Sequence, residues 1–443
     1  MMRTGFAFEL LSLLVSGVGL IACSGDTMGP VHTAGAGAGG SAMTGSAGNS
    51  SATAGRSGDT GGSFGSSGSA GMQASAGGGG NGFAGSASGG AASGGSANGA
   101  SGGAGQPSGG SGSASAGAGP VGPRFIGRFD QSKPDAPVFA WPGTAVALRF
   151  TGTSVGVTLS DSGNNVFEVV LDGKHTVLTL QQGMKKYVLG TGLSAGAHDL
   201  LLYRRTEASF NETTFNGFDV PSSAYLPATL PKHRLEVIGD SISAGYGNEG
   251  TNPCQFMAAT ENQYLSYEAL AARVLDADLY TEAWSGIGML HNYEGSTTDQ
   301  MPVLYLRTLP GSASSTWDFG KYVPEAVVIN LGTNDFSKGD PGAGFQTAYL
   351  KFVTDLRGHY PAARFFLALG SMLSGDSYSK ASAYLKAVID ARASAGDKNL
   401  TLLEFGTQDG NADGLGCDYH PSLKTHQKMA DKLVAALKAD LGW

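Results

Sequence analysis

From Leu235 onward the chain alternates between two periodicities, and this restricts the architectures open to it more than any other feature. Short apolar, β-branched runs predict strands at Leu235–Gly239, Ala277–Ala283, Ala326–Leu331, Ala363–Leu369 and Leu400–Phe405. Longer amphipathic stretches predict helices at Tyr267–Leu275, Phe345–Tyr360, Tyr378–Ser394 and Ser422–Leu441. In the last of these, Leu423, Met429, Leu433, Val434, Leu437 and Leu441 recur at helical spacing. Strands interleaved with helices imply an α/β domain with a parallel sheet covered on both faces. Ligands of such sheets bind at the carboxyl ends of the strands.

Upstream the pattern is different. Between about Arg124 and Leu226 the runs Ala145–Phe150, Val155–Leu159, Val166–Leu171 and Ala197–Tyr203 are short and strand-like, separated by turn signals such as Asp172-Gly173 and Ser194-Ala195-Gly196. Several strands at this spacing predict an all-β sandwich. Residues 123–230 are therefore assigned to a β-sandwich and 231–443 to the α/β domain. The sandwich is read first as a packing partner that walls the site, because no exposed aromatic row marks a ligand-binding face.

Four strand-end segments of the α/β region carry candidate chemistry. Gly239-Asp240-Ser241 follows the first strand, Trp284-Ser285-Gly286 the second, and Gly332-Thr333-Asn334-Asp335 the third, while Cys417-Asp418-Tyr419-His420-Pro421-Ser422 precedes the final helix. Acyl transfer from an ester needs a hydroxyl nucleophile, a base to take its proton, and donors aimed at the oxygen that becomes negative. Ser241 supplies the first and His420 the second. The amides of Ser241 and Gly286 and the side-chain NH₂ of Asn334 supply the donors.

These four blocks in this order resemble those of the SGNH, or GDSL-type, hydrolases. The run Gly239–Gly247, with Cys254, Thr260-Glu261-Asn262, Trp284-Ser285-Gly286 and Gly416–Ser422, is similar more narrowly to carbohydrate esterase family 2. That resemblance implies a three-layer α/β SGNH hydrolase domain behind a jelly-roll β-sandwich, and removal of acetyl groups from sugars, with a preference for the 6-O position. One departure stands out. Most of the superfamily carries an aspartate three positions before the histidine, and here that position is Cys417. Either Asp418 orients the imidazole from a shifted loop, giving a triad, or a backbone carbonyl does so, giving a Ser-His dyad; Asp413 is a more distant alternative. Some acceptor is required, because the ring nitrogen facing Ser241 must be free to act as base. Trp284, Tyr246 and Tyr419 flank the blocks and are candidates for lining a sugar pocket, whereas Trp317 is read as wall packing.

The first 120 residues belong to neither domain. In Met1–Cys23, Arg3 precedes an apolar stretch from Leu10 to Ala22 that is too short to span a bilayer, which reads as an export signal. Leu20-Ile21-Ala22-Cys23 is similar to a bacterial lipobox, implying acylation of Cys23 and a lipid anchor. From Gly29 to Gly119 the sequence collapses to Gly, Ser and Ala, with Arg56 and Asp59 as its acid–base residues besides one histidine. Such a segment cannot bury enough apolar area to offset its ordering entropy, so residues 24–122 are expected to form a flexible linker. Random-coil scaling gives a reach on the order of 50 Å. The expected location is therefore a bacterial cell envelope or surface, with secretion as the alternative.

Export also bears on the cysteines. With Cys23 acylated, Cys254 and Cys417 remain in an oxidising compartment where disulfides persist, and they are expected to pair. The formal net charge of −8 and the lack of a Lys/Arg cluster argue against nucleic acid as a partner. His291, His359, His420 and His426 lie in separate segments without a compact ligand motif, so no metal or other cofactor is expected; His426 is read as a helix-surface residue. Two functions of different class remain. One is a carbohydrate O-acetyl esterase, with a GDSL-type lipid esterase as a weaker variant within the enzyme class. The other is a surface-anchored carbohydrate-binding protein whose hydrolysis is weak or lost.

Overall fold

The computed structural model describes residues 119–443. The expected signal at 1–23, Cys23 and all but the last few residues of the 24–122 linker lie outside that range. The described chain begins with a β-sandwich and continues into a parallel-sheet α/β domain.

Nine strands build the sandwich: β1 (Arg124–Ile126), β2 (Val138–Phe139), β3 (Ala145–Thr151), β4 (Ser154–Asp161), β5 (Val166–Leu171), β6 (Lys174–Thr179), β7 (Gly183–Thr191), β8 (Ala197–Arg204) and β9 (Thr213–Phe218). One sheet has the order β1-β3-β8-β5-β6 and the other β2-β9-β4-β7, with antiparallel pairing throughout. Alternate side chains of both sheets point inward, as the period of a strand requires. Phe139, Val146, Leu148, Phe150, Val157, Leu159, Phe167, Leu202 and Phe215 make the core between them. The β5–β6 hairpin turns at Asp172-Gly173, both at positive φ (52° and 76°), which is the type I′ geometry that matches strand twist.

The α/β domain has strands β10 (His233–Gly239), β11 (Ala277–Ala283), β12 (Ala326–Asn330), β13 (Arg364–Leu369) and β14 (Leu400–Glu404) in the order β11-β10-β12-β13-β14, all parallel. The helix Leu423–Leu441 packs with Tyr267–Leu275 on one face, burying Met429, Leu433 and Leu437. Ala343–His359 and Gly375–Ser394 pack together on the other, over a core containing Phe345, Tyr349, Phe365 and Leu385. The chain runs from β10 to β11 on one side and then to β12 on the other. The strand order therefore reverses at β10, and the crevice outside its carboxyl end is where an open α/β sheet places a ligand.

The sandwich closes the β11 edge of this sheet. Arg124 pairs with Asp278 at 2.9 Å, and Ile126, Ala145 and Tyr203 pack with Tyr264, Tyr280, Trp317 and Tyr322. Arg128 reaches furthest: wholly buried, it donates to Glu236 at 3.1 Å, forms an ion pair with Glu282 at 2.9 Å, and donates to the carbonyls of Tyr305 and Arg307. Covering an edge strand in this way removes a row of unpaired backbone groups from solvent.

His426 is not on the helix surface. Its side chain is fully buried, and Nδ1 accepts the Tyr267 N–H at 3.2 Å. An acceptor at the first residue of the Tyr267–Leu275 helix satisfies one of the amides that a helix start leaves unpaired. Burial pushes the imidazole down to about 3, keeping it neutral and able to accept.

Candidate active site

Ser241 begins a short helical turn, Ser241–Ala244, directly after β10. The turn is specified locally. The Asp240 carboxylate accepts the Ile242 N–H at 3.0 Å, as an N-cap does. Gly239 has no room for a side chain, because a Cβ there would meet the Ser243 Oγ and Cβ at 2.2 and 2.6 Å. Gly245 ends the turn in the left-handed region at φ 80°, where glycine carries no steric penalty.

The imidazole of His420 arrives from the opposite end of the chain, and the Ser241 Oγ–H donates to its Nε2 at 2.8 Å. On its far side Nδ1 donates to the main-chain carbonyls of Asp418 and Cys417, at 3.1 and 3.2 Å. Asp418 and Tyr419 both stand at positive φ, 48° and 63°. Residues other than glycine occupy this region at a cost, and such outliers cluster where surroundings hold a functional geometry. Here the tight turn is what brings both carbonyls onto one ring nitrogen.

The Asp418 carboxylate does not orient His420. It accepts the Tyr246 O–H at 2.6 Å, and Asp413, the other candidate acid, pairs with Lys424 and Lys428. The arrangement is a Ser-His dyad backed by carbonyls. With Cys417 in place of an acid, and Asp418 turned by its own left-handed backbone, no carboxylate reaches Nδ1. The Tyr246 ring lies nearly parallel to His420, centroids 4.0 Å apart, and stacks on Phe256 at 4.1 Å on its other face. Burial pushes His420 down to about 4, against the opposing pull of the two carbonyls and the nearby Asp418 charge. The ring is thus a neutral acceptor at neutral pH.

Gly286 follows β11 at φ 78°, and its carbonyl accepts the Tyr293 N–H at 2.7 Å. Neither the Ser241 N–H nor the Gly286 N–H donates to a protein acceptor among the described residues. The Asn334 side chain follows β12, and its Nδ2 donates to the Ile287 carbonyl at 2.9 Å, leaving a second N–H on the same nitrogen. Ser241, Gly286, Asn334 and His420 line one cleft of about 840 Å³, within the range of a small-molecule site. They come from the ends of three adjacent parallel strands and one distant loop.

Cys254 and Cys417 form a disulfide, which ties the loop after Ser241 to the loop carrying His420. The Cys417 N–H also bonds the Gly247 carbonyl, and the Asp418 N–H the Cys254 carbonyl. Tyr246 and Tyr419 line the cleft. Trp284 does not: its indole packs against Ala140, Ala208 and Leu309 and the core beneath the sheet. Trp284 follows the edge strand β11, which the sandwich covers, and the apolar space between the two domains that Ala140, Ala208 and Leu309 share takes its side chain in place of the cleft. Trp317 is buried in the cluster between the domains.

Two contributors are absent from the sequence reading. Tyr293, 60% exposed, lines the same cleft as Tyr419, 65% exposed. Asp335 accepts three successive amides, those of Met289, Leu290 and His291, at 3.0, 2.7 and 2.9 Å, and so anchors the segment following Gly286. The pair Asn334-Asp335 was the available signal, two polar side chains at one strand end. Among the described residues no group of His, Cys, Asp and Glu side chains is arranged to hold a metal.

A family model described as "Carbohydrate esterase 2 N-terminal" matches residues 125–229, and one described as "GDSL-like Lipase/Acylhydrolase family" matches residues 237–428. The cellulase/esterase CelE of Acetivibrio thermocellus is 43% identical over 323 residues, which are 72% of this chain and 39% of CelE, so the chain spans well under half of that relative. An acetylxylan esterase / glucomannan deacetylase of Cellvibrio japonicus is 28% identical over 73% of this chain and 91% of its own length. The structure of a family two carbohydrate esterase from Clostridium thermocellum in complex with cellohexaose is 42% identical, superposes with a TM-score of 0.69, and is matched over 73% of this chain and 100% of that one.

Proposed function

Since the chain belongs to carbohydrate esterase family 2, we propose that it is a serine esterase that removes acetyl groups from carbohydrate. The observation that carries this reading is the 2.8 Å Ser241–His420 contact beside two unengaged backbone amides in an open cleft. His420 Nε2 takes the Ser241 proton as Oγ attacks the acetyl carbonyl, and returns it to the departing sugar hydroxyl. The amides of Ser241 and Gly286 and the Asn334 NH₂ receive the oxyanion. A second cycle with water as nucleophile releases acetate. The cleft is flanked by the exposed rings of Tyr293 and Tyr419, and aromatic faces of this kind suit sugar rings, with 6-O acetyl groups as the preferred ester.

A second role for the same cleft, retention of an unacetylated glucan chain, is favoured by the cellohexaose complex of the Clostridium relative. We further infer that Met1–Cys23 directs export and that acylated Cys23, followed by the Gly/Ser/Ala linker, anchors the folded part to a bacterial envelope.

The test is acetate release by the full chain from a chromogenic acetyl ester and from acetylated manno- and xylo-oligosaccharides, beside Ser241→Ala, with the deacetylated position mapped by NMR. Activity on the sugars that disappears in the variant is the expected result. Sugar binding without hydrolysis by the wild-type chain would leave only the binding role.

A further inference from the structure

Glu207 belongs to the sandwich, in the connection between β8 and β9, yet it ends beside the reacting groups of the other domain. It is 1% exposed. Its carboxylate Oε2 accepts the backbone N–H of Ser285 at 2.8 Å, and Oε1 accepts the Ser209 hydroxyl at 2.6 Å. The Glu207 N–H is itself held by Glu261 Oε2 at 3.0 Å, a residue of the Thr260-Glu261-Asn262 motif that the acyl-transfer machinery leaves unused. The contacts run from the α/β domain into the sandwich and back to the loop that carries the oxyanion donor.

Ser285 is covalently joined to Gly286, which lines the cleft beside Ser241 and His420. Two hydrogen bonds bracket that glycine. On the downstream side Tyr293 donates to the Gly286 carbonyl; on the upstream side the only side chain holding the Ser285 amide among the described residues is Glu207. Glycine at φ 78° has wide backbone freedom of its own, so the direction of its N–H depends on these two anchors. Donors to an oxyanion are worth most when they are fixed before the charge develops.

We propose that Glu207 is a positioning residue contributed by the β-sandwich: its carboxylate oxygen holds the Ser285 N–H and thereby aims the Gly286 N–H at the oxyanion. This rests on the esterase reading above. It gives the sandwich a part in turnover in addition to covering the sheet edge.

Glu207→Gln and Glu207→Asp separate the acceptor from the charge. The glutamine keeps an oxygen at the same reach without the charge, whereas the aspartate keeps the charge and withdraws the oxygen by one methylene. The full chain and both variants are assayed for kcat and KM on a chromogenic acetyl ester, with thermal unfolding recorded for each. Expected is near-wild-type turnover in Glu207→Gln and a fall in kcat of about 100-fold in Glu207→Asp with KM changed little, the size of a lost oxyanion donor. Glu207→Ala should fall at least as far, and if it does not fold the first two variants still decide. Equal loss in Gln and Asp, the reverse order, or kcat unchanged in Asp each overturns the assignment. A wild-type chain inactive on every acetyl ester overturns the esterase reading instead, and the two failures are thereby distinguished.

Discussion

Asp418 is the residue at which sequence and structure part most informatively. It sits two positions before His420 and carries the only carboxylate adjacent to the base in sequence, yet what it offers the imidazole is its main-chain carbonyl. Backbone conformation decides this, and a single sequence does not display a run of two left-handed residues at Asp418 and Tyr419. The expected consequence is a weak response to Asp418→Asn. Asparagine tolerates the left-handed region and retains an acceptor for the Tyr246 hydroxyl, so kcat on an acetyl ester should stay within about tenfold of wild type, whereas loss of an orienting acid costs about 10⁴-fold in the serine proteases. A loss of that larger size would restore the triad. Ser241, Gly286, Asn334 and His420, by contrast, are readable because each sits in a short block at a predicted strand end or helix start. Glu207, Asp335 and Tyr293 are not, since their contacts lie 78, 44–46 and 7 residues away and carry no local pattern.

The acid limb of the pH profile belongs to the same scale. The base must be unprotonated to accept the Ser241 proton, and burial beneath Tyr246 lowers His420 to about 4. Activity is therefore expected to persist below the ordinary imidazole pKa of about 6.5 and to fall only as pH drops through about 4. Measuring kcat/KM of the free enzyme from pH 3 to 8, with irreversible inactivation controlled, checks this. A midpoint near 6.5 would mean that the ring is solvated in solution.

Among the elements, those with strong internal periodicity were legible and those without it were not. All five strands of the parallel sheet and the four long helices fall within a few residues of their expected bounds, because a strand buried on both faces reads as a continuous apolar run and an amphipathic helix repeats its period several times. In the sandwich β3, β4, β5 and β8 were readable. β6 and β7 are edge strands, with exposed residues such as Lys174, His175, Lys185 and Lys186, and polar edges carry little apolar alternation. β1 and β2, at three and two residues, are too short for any period to register.

The two loops joined by the Cys254–Cys417 disulfide make a prediction at this level. They are 163 residues apart in sequence, so the cross-link removes a long loop from the unfolded ensemble, worth about 2–5 kcal/mol. Replacing both cysteines by alanine should lower stability by that amount. It should also reduce kcat, because Cys417 opens the tight turn that presents its carbonyl to His420. Chemical denaturation and turnover measured on the same preparation test both parts. Unchanged stability would show that the main-chain bonds from Cys417 to Gly247 and from Asp418 to Cys254 hold the loops without the covalent tie.

For the whole molecule, the decisive contact is Arg128, which leaves the sandwich and terminates between Glu236 of the inner strand β10 and Glu282 of the edge strand β11. Tyr305 adds its hydroxyl to Glu236 at 3.0 Å. The three side chains have essentially no exposed surface, so either carboxylate left without its partner would be charged in a buried site or forced to take up a proton. The sandwich is thereby built into the α/β core, in keeping with the apolar cluster that Ile126, Ala145 and Tyr203 share with Tyr264, Tyr280 and Tyr322. The two parts should unfold as one cooperative unit. Arg128→Ala removes the cation and leaves both glutamates behind, which for a broken buried pair costs about 3–5 kcal/mol. Denaturation followed by circular dichroism at a helix-sensitive wavelength and by near-ultraviolet aromatic signals should give coincident transitions in wild type, shifted together in the variant. If the helical signal moves while part of the aromatic signal keeps its wild-type midpoint, the sandwich folds without the α/β domain, and Arg128 stabilises only the site at which it ends.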